Sequence, residues 1–168
     1  AAANEPIKSL GKEYYHFQQG LMIVCRRLAR ELAADGEGAT KLLECAVTGA
    51  PDCQTAKKVA KSVICSSLFK AAMFGGDANW GRVLCAIGYT DAEFDVSRVG
   101  VTLSSAAGSV PVCSNGAGVP FSEEQAAKIL AQPESRIEID MAQGGETATA
   151  WGCDLTYDYV KINGDYRT

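Results

Sequence analysis

A chain of 168 residues with 47% apolar side chains has enough hydrophobic mass for one domain of ordinary size, closed around a core without metals or cross-links. Sixteen basic against twenty acidic residues give a net charge of −4, and basic side chains cluster no further than Arg26-Arg27 and Lys57-Lys58, which argues against nucleic acid as a partner. The most apolar run, Leu21-Met22-Ile23-Val24-Cys25, stops at Arg26 and is too short to cross a bilayer, so no membrane partner is expected.

The first residues, Ala1-Ala2-Ala3-Asn4-Glu5-Pro6, have neither an initiator methionine nor the basic-then-apolar pattern of a signal peptide, and read as a start inside a longer product. From Lys12 to Ala34, Phe17, Leu21, Val24, Leu28 and Leu32 recur at steps of four and three, with Arg26, Arg27, Arg30 and Glu31 largely off that stripe; this predicts a long amphipathic helix. His16, the single histidine, cannot build a metal site by itself; on the first turns beside Tyr14 and Tyr15, with no Cys or Ser partner nearby in sequence, it reads as a partly exposed structural histidine over a catalytic base. Gly36 stands where the helix needs a left-handed residue to stop it. Glu37, between Gly36 and Gly38, then has two readings: a solvated acid after a helix end, or a carboxylate presented on a stiff, narrow loop.

Leu43, Cys45 and Val47 alternate with Leu42, Glu44, Ala46 and Thr48, which predicts a strand directly after the loop. Pro51-Asp52 supplies a stop and an N-cap for a helix with the stripe Ala56, Val59, Ala60, Val63 and Ile64. Asp77 is the expected cap of a short helix running into Val83 to Gly88. Gly75-Gly76 ahead of it admits an anion cradle, although the P-loop ending is absent, or a tight turn that packs Trp80 and lets Arg82 pair with an acid. Arg98 to Leu103 and Ser109 to Cys113 read as strands, Ser122-Glu123-Glu124-Gln125 as a capping box opening a helix to about Ala131, and Arg136 to Met141 as a half-buried strand. Gly144-Gly145 is a turn, and Thr147 to Leu155 reads as the hairpin partner of the strand before it. The mixture of helices with largely antiparallel pairs gives an α+β class. Three tyrosines in the last twelve residues indicate a docked tail that carries Asn163 and Thr168. Cysteines at 25, 45, 53, 65, 85, 113 and 153 lack any CxxC pair and read as buried reduced thiols in a cytoplasmic protein, with no zinc site.

Three stretches taken together, Asp35-Gly-Glu-Gly-Ala-Thr-Lys41, Gly76-Asp-Ala-Asn-Trp-Gly-Arg82 and Asp154-Leu-Thr-Tyr-Asp-Tyr-Val-Lys-Ile-Asn163 through Tyr166-Arg-Thr168, resemble the bifunctional ornithine acetyltransferase/glutamate N-acetyltransferase family of arginine biosynthesis, in order along essentially the whole chain. The resemblance implies the self-cleaving ornithine acetyltransferase-like fold, with residues 1–168 as the C-terminal part of a β chain, one continuous domain completed by an α chain. It implies a ping-pong acyl transfer from N-acetylornithine to glutamate, acetyl-CoA being a further conceivable donor, with no metal or bound cofactor. The nucleophilic threonine is expected upstream of Ala1, so no catalytic residue is assigned here. Carried over by the motifs are three substrate-binding positions, Glu37, Asn163 and Thr168. An α2β2 or higher assembly is implied. Departures occur at Ala71, where many members have Thr, and at Gly164, where Ala is common. Two other readings stay open: a threonine-nucleophile amidohydrolase or aminopeptidase, with water as acyl acceptor, and a non-catalytic assembly module.

Overall fold

The computed structural model describes residues 3–166. Among these, six α-helices and six strands form a mixed sheet with helices layered on it, the α+β class expected from the order of elements.

The predicted amphipathic helix is α1, Lys12–Ala34. Its backbone ends at Asp35, whose amide still donates to the Glu31 carbonyl, and the left-handed residue expected at Gly36 is instead Gly38, two positions on in the turn. Strand β1, Leu42–Ala50, follows the glycine-flanked turn and is the spine of the sheet, with six of its nine residues buried. Helix α2, Cys53–Cys65, starts where Asp52 accepts from the Thr55 amide at 2.8 Å. Helix α3, Ser67–Phe74, capped by Ser66, was not foreseen as a helix. Helix α4, Trp80–Gly88, is capped by Asn79, which accepts from the Arg82 amide at 3.0 Å. The expected cap, Asp77, instead accepts from the Asn79 side chain and so acts one step removed. Among the described residues Arg82 pairs with no acid: its guanidinium donates to the Leu68 carbonyl at 2.8 Å, tying α4 to α3.

A 3-10 turn, Val96–Arg98, leads into β2, Gly100–Ser105, β3, Gly108–Ser114, and a two-residue β4, Ala117–Gly118. Helix α5, Glu123–Leu130, is capped by Ser122 as predicted, but Gln125 turns outward to the Ser109 carbonyl and does not close the box. Strands β5, Glu134–Asp140, and β6, Glu146–Cys153, precede α6, Tyr157–Asp165.

The sheet order is β4-β3-β2-β5-β1-β6. The expected β5/β6 hairpin is therefore wrong. β1 lies between them, parallel to β5 and antiparallel to β6, with Val47 opposite Ile139 on one side and Ala148 on the other. The connection crosses the end of β1, held by Met141 and Gln143 amides donating to Thr48 and Gly49 carbonyls at 2.9 and 2.8 Å. Gly144 passes so close that a Cβ would strike the Ala50 carbonyl. The remaining neighbours are antiparallel, so the "largely antiparallel" expectation holds.

One sheet face, with Leu43, Cys45, Val47, Val101, Leu103, Ile137 and Ile139, packs with α2 to α5 into a single core. The reverse face is polar, and the end of α1 braces it. Arg30 donates to Glu44 at 2.8 Å and Glu134 at 2.9 Å, while Glu44 also accepts from Trp151 and pairs with Arg136. No residue of α1 is buried, and its predicted stripe stands in solvent, with Phe17 60% and Leu32 77% exposed. The cysteine expectation holds only for Cys45 and Cys113; Cys25, Cys53, Cys65 and Cys85 are exposed.

Candidate functional site

Residues 35–41 form a tight turn because the Ala39 amide donates back to the Gly36 carbonyl at 2.9 Å, with Glu37 and Gly38 at the bend. Gly38 has a φ of +66°, the value the second corner of such a turn demands, and a Cβ there would come within 2.8 Å of the Tyr159 amide nitrogen. The glycine is required twice over, by conformation and by the close approach of α6.

The tail begins at Asp154, which is 3% exposed and accepts from the Thr40 and Lys41 amides at 2.8 and 3.1 Å and from the Thr40 hydroxyl. Two residues later, buried Thr156 donates to the Gly38 carbonyl at 2.7 Å and caps α6 by accepting from the Tyr159 amide at 3.2 Å. The tyrosine-rich tail is thus a helix anchored at its start, where the Tyr157 ring meets the Phe74 edge with centroids 5.5 Å apart, and is otherwise exposed. Lys41 reaches the Met73 carbonyl with Nζ at 2.6 Å; burial lowers its ammonium pKa from the ordinary value, and Asp154 partly restores it.

Glu37 and Asn163, singled out separately in the sequence, meet: Asn163 Nδ2 donates to Glu37 Oε2 at 2.9 Å and to the Tyr159 carbonyl at 3.0 Å. Both amide hydrogens are engaged, so what the pair presents outward is a second carboxylate oxygen and an amide carbonyl oxygen. Two acceptors, one of them charged, suit an ammonium group. Thr168 lies outside the described residues. Sequence reasoning missed Asp154, Thr156 and Thr40 as working parts; the signal lay in Thr156 three residues ahead of Tyr159, an N-cap spacing, directly after an acid at a strand end.

A cavity of about 490 Å³ lies elsewhere, on the reverse sheet face between Arg30, Glu44, Ser104, Glu134 and Arg136. Neither Glu37 nor Asn163 lines it, and its charges already pair with one another, so it reads as the brace of α1 and not as the site. Among the described residues no group of three or more His, Cys, Asp or Glu side chains gathers to hold a metal, and no helix is long and apolar enough to cross a membrane.

Comparison with known proteins places residues 1–168 on the model of the ArgJ family. The chain is 50% identical over its full length to the Arginine biosynthesis bifunctional protein ArgJ 1 of Clostridium acetobutylicum and 49% identical over 99% of its length to the ArgJ of Caldanaerobacter subterraneus subsp. tengcongensis. It spans 41% of the length of each. The crystal structure of the arginine biosynthesis bifunctional protein ArgJ from Bacillus halodurans superposes with a TM-score of 0.89 at 40% identity, over 98% of this chain and 76% of that one.

Proposed function

The chain belongs to the ArgJ family, and on that premise we propose that it is the C-terminal part of the β chain of a cytoplasmic acetyltransferase that moves the acetyl group of N-acetylornithine to glutamate. The observation that carries the proposal is the Asn163–Glu37 hydrogen bond, which brings two motif residues from opposite ends of the chain into one acceptor-rich surface. Ornithine is a diamine. A carboxylate beside an amide oxygen offsets the ammonium of the donor and the positive charge that develops when its amide nitrogen becomes a free amine.

The reaction is a ping-pong exchange. A threonine hydroxyl from outside this chain attacks the acetyl carbonyl, the C–N bond breaks, and the nitrogen leaves with a proton as ornithine. Glutamate's amine then attacks the acetyl-threonine ester, releasing the hydroxyl and giving N-acetylglutamate. Within this scheme Glu37 and Asn163 bind and orient the amino-acid part of the substrate, with Thr168 as a third binding position. The missing groups belong to the rest of the polypeptide. That partner is supported by the relatives' greater length and by the apolar stripe of α1, which has no cover among the described residues.

The test is to express the complete gene product, supply N-acetylornithine and glutamate, and follow ornithine and N-acetylglutamate together. Glu37→Ala is expected to lower kcat/KM by about a hundredfold while shifting stability by less than about 0.5 kcal/mol, because an exposed loop acid contributes little to the core. Parallel loss of activity and stability would return Glu37 to a helix-end role. Acetate release in the absence of glutamate would mark a hydrolase instead.

A further inference from the structure

We propose that Asp154 is a positioning residue that fixes the direction of the Glu37 carboxylate, an inference that rests on the substrate-binding role given to Glu37. The Glu37 side chain is exposed, and its partner among the described residues is Asn163, so its aim is inherited from the backbone of the turn. That backbone is held from behind. Asp154 Oδ1 accepts from the Thr40 and Lys41 amides at 2.8 and 3.1 Å, Oδ2 accepts from the Thr40 hydroxyl, and the Asp154 amide donates to the Lys41 carbonyl at 3.3 Å.

A carboxylate that is 3% exposed is tolerated only when its oxygens are well supplied with donors. Here the donors come from the two residues that follow the Glu37 turn, so any slip of the turn would strip a buried charge of its partners. The turn is left with one position. From the same short segment Thr156 grips the Gly38 carbonyl and caps the helix carrying Asn163. Asp154 therefore sets the spacing of Glu37 and Asn163 without touching a ligand itself.

A double-mutant cycle in the assembled full-length enzyme tests this, with kcat and the KM for N-acetylornithine measured for Asp154→Asn, Glu37→Gln and the pair. Asp154→Asn is expected to raise KM about tenfold with kcat changed less than about twofold, and to add nothing once Glu37→Gln is present. Thr40→Val, which removes only the hydroxyl donor, guards against a fold that does not survive at Asp154. It is expected to raise KM about threefold, the loss of one hydrogen bond to a charged group that keeps two others. Effects that multiply in the double variant, a fall in kcat at unchanged KM, or an unchanged KM in Thr40→Val would each overturn the positioning role while leaving Glu37 as a binding group. An unchanged KM in Glu37→Gln alone would overturn the substrate-binding reading and this inference with it.

Discussion

Helix α1 and the turn that follows it adjoin at Asp35 and are held by opposite means. The helix is rich in apolar side chains, yet none is buried, and among the described residues the Arg30 ion pairs and its contacts with β1 and β6 join it to the sheet. The turn has almost no apolar area, yet Asp154, Thr156 and the Ala39 amide leave it a single shape. Directional hydrogen bonds can fix a loop with few atoms. Hydrophobic burial stabilises only when enough surface is covered, so a bare apolar helix is an unfinished interaction.

Substitutions can break or sharpen this contrast. The largest effect is expected in the core that neither region uses: Leu43→Ala, at a site 0% exposed, should cost about 3 kcal/mol in a denaturant titration of the assembled enzyme. Leu28 is exposed in the described chain, but if the α1 stripe is packed in the assembly, Leu28→Ala should cost about 2 kcal/mol there. A cost below about 0.5 kcal/mol would mean that the stripe stays bare. Gly38→Ala should cost about 1–2 kcal/mol for the left-handed backbone alone, with a further cost for the Cβ that would crowd the Tyr159 amide, and should raise KM, seen in parallel thermal melts and assays. The smallest effect is silent at neutral pH. Burial pushes the Cys45 thiol well above its ordinary 9.0, so the folded protein keeps a proton that the unfolded chain releases. Stability is therefore undiminished below pH 9.0 and falls as pH rises past it, whereas Cys45→Ala should flatten that decline in melts taken between neutral pH and strong alkali.

Features set by near neighbours were legible in the sequence. The step of three and four from Phe17 to Leu32 gave α1, the alternation around Cys45 gave β1, and Asp52 and Ser122 gave their caps. Partnership was not legible. Period two says that Ile137 and Ile139 share a face, but not that β1, almost a hundred residues earlier, slides between β5 and β6. Helix α6 was hidden because Tyr157, Tyr159, Val160 and Ile162 favour strands, and the Thr156 cap outweighs them. At the proposed site, the motif residues Glu37 and Asn163 stood out in the sequence and their direct bond did not, since it depends on how the tail returns to the turn. Asp154 went unassigned because an acid at a strand end reveals its burial only when the loop that supplies its donors is in place.

The position of β1 also orders events during synthesis. This strand leaves the ribosome before its neighbours, with two open hydrogen-bonding edges, because the strands that cover both edges, β5 and β6, follow it by more than eighty residues. For that interval its Leu42–Ala50 segment offers a long apolar template to any other extended chain. Nascent chains are therefore open to mispairing at β1 between those two moments, and of its two partners β6 is the later, the one that closes the second edge.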